Sequence, residues 1–130
     1  MKAHALLTAA MVAILNSASA QDVTVAQLLA HPDRYQHKRI SVVGYYVIAN
    51  EESCLFTTRD AVKKPGLTDD SIWVEFNDGT DLTAIANRRA RLVGTFHYMR
   101  DADRHRMRGY GQWSLWACQL AEVTSFKRLE

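Results

Sequence analysis

Two stretches of this chain place a glycine at the same point in a run of β-forming residues. "HKRISVVGYYV" begins at residue 37 and "RRARLVGTFHYM" begins at residue 88. In each, basic residues and an apolar pair precede the glycine, and an aromatic residue follows two positions later. Glycine weakens a strand interior, so it usually marks a bend, a bulge or the close approach of another backbone. Gly44 and Gly94 therefore predict two strands that bend to solve the same geometric problem.

The rest of the chain supplies three further strands and two short helices. Thr24 and Gln27 form a capping box that predicts an N-terminal helix. Helical spacing at Leu82, Ile85 and Ala86 predicts another helix between the third and fourth strands. The predicted strands cover residues 39–49, 54–59, 71–76, 91–99 and 113–123. This order predicts a mainly β fold, a five-stranded OB-fold-like barrel in which the first strand closes against the fourth.

The first twenty residues are interpreted as a leader rather than as part of the fold. Lys2 precedes an apolar core from Ala5 to Leu15, and Ala18-Ser19-Ala20 has the small residues of a cleavage site. This order is typical of a secretory signal peptide, and the apolar run is too short for a stable membrane span. Gln21 follows the predicted cut, so no lipid-anchoring cysteine stands there. We expect a periplasmic or secreted mature chain, residues 21–130, with a single domain.

The charge balance does not favour a general polyanion partner. The full chain has 16 basic and 14 acidic residues, a net charge of +2. Removal of the leader takes away one lysine and no acid, which leaves about one net positive charge. Any basic surface must then come from local clustering.

Cys54 and Cys118 are the two cysteines of the chain. In an oxidising compartment an even pair predicts a disulfide, and two cysteines allow one connectivity. The alternation of the predicted strands puts both side chains inward, as a bond across the barrel requires. A metal pair or a reactive thiol is disfavoured, because neither cysteine lies in C-x-x-C or near a histidine at ligand spacing.

The sequence offers little that is typical of an enzyme. It has no G-x-S-x-G, no H-E-x-x-H, no phosphate loop and no dinucleotide fingerprint. Asp101, Asp103 and His105 alternate as metal ligands could, but the four arginines among them would repel a cation. Three other histidines, His31, His37 and His97, are interpreted as lying far apart. We therefore expect no catalytic residue, no cofactor and no metal.

The loop "RDADRHRMRGYGQW", between the fourth and fifth predicted strands, is the candidate binding segment. This connection is one of those with which OB-folds bind oligonucleotides or oligosaccharides. Arginines suit phosphate or carboxylate, and aromatic rings can stack on a ligand. A solvated loop that only keeps the protein soluble is the alternative. The candidate residues here are Arg104, His105, Arg106, Arg108, Tyr110 and Trp113.

The outward face of the third predicted strand adds Trp73 and Glu75 to the candidate site. Trp73 is either a binding aromatic or is covered by the N-terminal helix through Leu28 and Leu29, since tryptophan is usually largely buried.

"VAQLLAHPDRYQHKRISVVGYYV", "CLFTTRDA", "SIWVEF" and "RLVGTF" together resemble a group of small secreted bacterial OB-fold proteins. The resemblance covers nearly the whole mature chain and implies the fold and the compartment. It implies no catalytic residue, because members of the group mostly lack an assigned activity. The matching positions are Leu28, Leu29, Pro32, Tyr35, Lys38, Arg39, Gly44, Phe56, Asp60, Ile72, Trp73, Val74 and Gly94.

These observations favour a non-enzymatic binding module whose partner is a protein in the cell envelope. An immunity or inhibitor protein that occludes an exported toxin or cell-wall lytic enzyme is the first alternative. The second is a binder of an anionic ligand, an oligonucleotide or a glycan, through the basic loop. Nucleic acid is the weaker of these two ligands, because it is scarce outside the cytoplasm. The sequence predicts no transmembrane segment and leaves the oligomeric state open.

Overall fold

The regular structure of the chain is mostly β-strand. The computed structural model describes residues 21–49, 52–63, 68–100, 109–111 and 115–130. No helix within these ranges is long and apolar enough to cross a membrane. In chain order the elements are β1 (Asp22–Thr24), α1 (Val25–Ala30), a 3₁₀ turn (Pro32–Tyr35), β2 (Arg39–Ala49), β3 (Glu52–Phe56), a second 3₁₀ turn (Asp60–Lys63), β4 (Ser71–Val74), β5 (Arg88–Tyr98) and β6 (Cys118–Arg128).

Strands β2 to β6 form a closed five-stranded barrel. The pairs β2–β3, β3–β4 and β5–β6 are antiparallel, and the pair β4–β6 is parallel. The barrel closes where β5 returns to β2, from Arg39 opposite Thr95 to Tyr46 opposite Arg88. β1 lies outside this ring and pairs in parallel with the first half of β2. The OB-fold-like barrel and the pairing of the two glycine-bearing strands are thus confirmed.

Gly44 lies where the pairing partner of β2 changes from β1 to β3. A Cβ there would lie 2.7 Å from Leu55 Cγ, 2.7 Å from the Phe56 carbonyl oxygen and 2.8 Å from Val25 Cγ2. The end of β3 and the start of α1 therefore approach the β2 backbone so closely that only glycine fits.

Gly94 faces a similar restriction from the other partner of β5. A Cβ there would lie 2.7 Å from the Ala121 carbonyl oxygen. The register between β5 and β6 shifts between Val93 and Thr95, which identifies an irregularity at this glycine. Both glycines are explained by the close approach of neighbouring atoms, which is one of the roles of a glycine within a strand, and the predicted bends stay a prediction.

The barrel interior is filled by side chains. Helix α1 begins with the predicted capping box: Thr24 Oγ1 accepts from the Gln27 backbone N–H at 3.1 Å, and Gln27 Oε1 accepts from the Thr24 N–H at 2.8 Å. This cap orients α1 so that Val25 and Leu28 are buried against the strands. The barrel core consists of Val25, Leu28, Val42, Tyr46, Leu55, Ile72, Val74, Ile85, Ala90, Leu92, Phe96, Cys118 and Leu120.

A second apolar cluster lies on the outside of β3 and β4. We call it the outer cluster; it consists of Cys54, Phe56, Ala61, Trp73 and Trp116. Because this cluster covers one face of the two strands while the barrel core covers the other, three consecutive residues of β3 and all four of β4 are buried.

The helix predicted between the third and fourth strands is only loosely matched. Residues 83–87 form a turn instead, with one helical bond from the Ala86 N–H to the Leu82 carbonyl at 3.0 Å. Asn87 then adopts a φ of 58° and ends the turn, because Arg88 is already paired with Tyr46 in the barrel. Ile85 is nevertheless fully buried, as its apolar spacing predicted.

The last strand also differs from its prediction. It begins at Cys118 rather than at residue 113 and continues to Arg128. The pairing with β5 extends to Arg128, opposite Ala90, so the length of β5 sets the end of β6.

Candidate functional site

Trp73 is enclosed by the protein's own β5–β6 connection. Its side chain leaves the outer face of β4, and the residue is only 8% exposed. The Trp116 ring lies over it with centroids 5.1 Å apart, and Gly111 contacts its face. The indole N–H donates to Glu75 Oε2 at 2.7 Å. The prediction that Trp73 and Glu75 share the outward face is met, but the ring is not open for stacking in this conformation.

Helix α1 does not cover Trp73. Leu28 lies in the barrel core and Leu29 packs against that core, whereas Trp73 belongs to the outer cluster. The outward tryptophan is covered by the β5–β6 connection because a glycine there allows the backbone to rest on the indole.

Tyr110 and Trp116 pair with each other in the second half of that connection. Their backbones pair as an antiparallel bridge, with N–H to carbonyl distances of 2.7 and 3.1 Å. The Trp116 indole N–H donates to Ser71 Oγ at 3.0 Å, which ties the bridge to β4. Burial raises the pKa of the Tyr110 hydroxyl, and the nearby Cys118 contributes further. Tyr110 is therefore a packed anchor of the loop rather than a freely exposed ring.

The remaining candidates in this loop lie outside the described residues. They are Arg104, His105, Arg106, Arg108 and Trp113. The structure brings Trp73, Glu75 and Tyr110 to one side of the barrel, at the foot of the loop that carries the others.

The prediction of a disulfide between Cys54 and Cys118 is wrong, because the bond is not formed. Both residues carry thiols. Cys54 of β3 pairs with Trp73 of β4, whose other neighbour is Gln119 of β6, so a whole strand separates the cysteines. Two strand spacings are about 9.5 Å, beyond the limit of about 7 Å for bridged Cα atoms. Cys54 also faces the outer cluster, while Cys118 faces the barrel core.

The Cys54 thiol is held in its protonated form. Burial, together with the charge of Glu52, raises its pKa to about 12, against a smaller opposing effect of a hydrogen bond with Ser71. A thiol in this state is a poor nucleophile, since the thiolate is the reactive species.

His37 and His97 are neighbours, contrary to the expectation that the histidines lie far apart. Their rings meet edge to face with centroids 5.5 Å apart, because the residues before β2 run beside the end of β5. Across the described ranges, no three histidine, cysteine, aspartate or glutamate side chains come together as a metal site.

The structure also contains an open groove that sequence reasoning missed. It has a volume of 510 Å³ and lies where β2 passes from β1 to β3, next to the start of β5. We call it the arginine groove; the residues that characterise it are Tyr45, Thr57, Thr58, Arg59, Arg88 and Arg89.

The position of these arginines follows from the barrel pairing. Tyr45 is opposite Arg89, which places Arg89 on the outer face of β2, and Arg88, opposite Tyr46, begins β5 beside it. Tyr45 Oη donates to the Asn87 carbonyl at 2.7 Å and fixes the turn before them. The adjacent arginines at 88–89 were visible in the sequence as basic residues before the fourth strand, but their place at a groove was not.

The fold and surface together define a mainly β barrel protein of OB-fold-like architecture. Comparison of the sequence with protein-family models finds no match, and comparison with curated proteins finds none. Among solved structures, a DUF3299 family protein from Pseudomonas aeruginosa PAO1 is similar, with a TM-score of 0.47 and 12% sequence identity. The match covers 75% of this chain and 64% of the Pseudomonas protein, so this chain spans less than two thirds of the length of that protein. That family name assigns no function.

Proposed function

We propose that this protein is an exported, non-enzymatic binding module that holds a protein partner of the cell envelope through its β5–β6 connection. The observation that carries the proposal is the anchoring of that connection. Gly111 and Trp116 contact Trp73, Tyr110 pairs with Trp116, and this contact lies on the outer face of β3 and β4. OB-folds commonly bind with the face of these two barrel strands and with this loop.

Trp116 gives the connection a fixed support on the barrel. Its ring contacts Trp73, and its indole N–H forms a buried hydrogen bond to Ser71. Groups that are already ordered lose less conformational entropy on binding, so more of their contact energy appears as affinity. The binding residues proposed on this connection are Arg104, His105, Arg106, Arg108 and Trp113.

The proposed compartment is the periplasm or the exterior, reached through cleavage of residues 1–20. Mass spectrometry of the protein purified from an envelope fraction of its host should give a mature chain that begins at Gln21. A chain that retains residues 1–20 in the cytoplasmic fraction would contradict this part of the proposal.

The partner can be sought by capture from an envelope extract. We expect the wild-type protein to retain a specific protein that the variant Arg104→Ala/Arg106→Ala/Arg108→Ala loses. The variant Arg34→Ala/Lys38→Ala/Lys127→Ala removes the same charge from exposed positions elsewhere and should retain it. Equal capture by both triple variants would overturn the proposal.

The captured partner also decides between the proposed roles. An exported toxin or cell-wall lytic enzyme that loses activity on binding would identify an immunity or inhibitor protein. Salt-sensitive retention on heparin, lost in the arginine variant without any protein partner, would instead indicate an anionic ligand, because phosphate or sulfate contacts weaken steeply with salt.

A further inference from the structure

We infer that the arginine groove binds a small ligand with phosphate or carboxylate groups. This site lies at the start of β5, whereas the β5–β6 connection leaves its other end. The inference is therefore independent of the function proposed for the loop.

The cations of the groove are poorly neutralised. Within the part of the chain that the structure describes, Arg59 and Arg88 form no ion pair, and both are exposed. Arg89 meets Glu130 at 3.7 Å, with both side chains more than half exposed. Three arginines thus line a single groove with one acidic residue, Glu130, which leaves an excess of positive charge.

Arg91, two residues after Arg89 in β5, is a guanidinium group that an acidic residue of the same chain neutralises. It donates to both carboxylate oxygens of Asp22, at 2.8 and 2.7 Å. The bond from Arg91 holds the pKa of Asp22 below its usual range. The chain therefore pairs Arg91 with a matched acid of its own, but provides Arg59 and Arg88 with none among the described residues.

The groove also offers hydroxyl donors and a half-buried ring. Thr58 Oγ1 accepts from the Ala61 N–H, a bond that does not use the hydroxyl proton. Thr57 and Tyr45 line the same space, and its 510 Å³ lies within the range of small-molecule sites. Guanidinium groups beside hydroxyls favour oxyanions, since they can form charge-assisted and bidentate hydrogen bonds.

Glu130 occupies a place in the groove that such an anion would take. Its carboxylate lines the groove beside Arg89, so one oxyanion of the chain already occupies part of the space. An incoming phosphate or carboxylate would displace this weak, exposed contact and gain Arg59 and Arg88 as well. Glu130 is thus a competitor whose neutralisation should strengthen ligand binding.

The test is titration calorimetry with two probes, tripolyphosphate and citrate, at low ionic strength. We expect Arg59→Gln/Arg88→Gln to weaken binding of the preferred probe about tenfold or more, the effect of losing charge-assisted bonds. Glu130→Gln should strengthen it severalfold. The control Arg34→Gln/Lys38→Gln removes the same charge from exposed residues that do not line the groove and should change affinity less than about threefold.

The outcomes separate the possible explanations. Tighter binding of tripolyphosphate assigns a phosphate ligand, tighter binding of citrate a carboxylate ligand, and either supports the inference. Equal weakening by the control variant, loss of binding in Arg104→Ala/Arg106→Ala/Arg108→Ala, or no saturable binding of either probe would overturn it. The amide NMR shifts should move at Thr57, Thr58 and Arg88 in the supporting case.

Discussion

Gly111 carries the contact between the β5–β6 connection and Trp73. Its φ is 76°, and an added Cβ would lie 2.9 Å from Trp73 Cγ and closer still to two other ring atoms. Gly111→Ala should therefore combine backbone strain with a clash against a buried ring and destabilise the protein by about 2–4 kcal/mol. Urea denaturation followed by tryptophan fluorescence measures this loss.

Gly79 is the matched control for this substitution. Its φ of 81° is nearly the same, but an added Cβ would have no atom within 4 Å. Gly79→Ala should cost only the backbone strain, about 1 kcal/mol. If the two variants lost equal stability, the packing of the loop on Trp73 would contribute nothing.

The raised pKa of the Cys54 thiol predicts that the free energy of unfolding falls at alkaline pH. The thiol ionises near 9.0 in the unfolded chain, whereas burial raises its pKa to about 12 in the folded protein. Its contribution is complete below pH 9 and is lost as the pH rises from 9 to 12, with a slope of up to about 1.4 kcal/mol per pH unit. Urea midpoints at pH 8 to 11 should fall more steeply for the wild type than for Cys54→Ala. Parallel curves for the two proteins would show that the thiol ionises as readily in the folded protein as in the unfolded chain.

The orientation of single residues was only partly predictable from the sequence. Ile72 and Val74 face the core as the alternation predicted, and Trp73 faces outward. Cys54 was assigned to the wrong face, because its neighbour Leu55 is also buried and alternation cannot distinguish two covered faces. The second cover comes from a loop distant in sequence, and no local pattern encodes it.

At the scale of the elements, β2 depends on a single glycine. The end of β3 and the start of α1 both lie within 2.8 Å of the position that a Cβ at Gly44 would take, and one of these atoms is a backbone oxygen that cannot rotate away. Gly44→Ala should therefore destabilise the barrel by more than about 3 kcal/mol. The measurement is thermal unfolding by circular dichroism, together with soluble yield. A loss below about 1 kcal/mol would mean that β3 can shift without cost.

Element boundaries were predictable where local and long-range preferences agree. β2 was predicted with its observed bounds, Arg39–Ala49, because β-branched residues and a turn delimit it locally. The turn at residues 83–87 was predicted as a helix, since its apolar spacing is helical while barrel pairing ends it after one turn. The arginine groove was missed for the same reason: only the pairing of β5 with β2 brings Arg88 and Arg89 beside Arg59.

At the scale of the whole molecule, the barrel is held by packing and strand pairing without a covalent link. Both cysteines carry thiols, so dithiothreitol should change the melting temperature by less than about 1 °C. Loss of a disulfide would instead cost about 2–5 kcal/mol and lower the melting temperature by many degrees. Calorimetry with and without reductant makes the comparison. Alkylation followed by mass spectrometry should add two adducts after denaturation and few before it, and a fall in melting temperature with reductant would contradict the structure.

The whole-molecule architecture was the most predictable level. Five strands and paired glycines indicated a closed barrel, and the strand order confirms it. The electrostatic surface was the least predictable, because a net charge near neutrality conceals an arginine groove in which Arg59 lies about thirty residues before Arg88 and Arg89.

The parallel pair between β4 and β6 has a consequence for how the molecule fluctuates. It consists of two register positions, Trp73 with Gln119 and Val74 with Leu120, far fewer than the eight that join β2 to β5. During local opening of the native barrel, β4 and β6 should therefore separate before the other strand pairs of the ring. Amide hydrogen exchange should then be faster at Glu75, which donates to the Leu120 carbonyl of β6, than in the middle of β5.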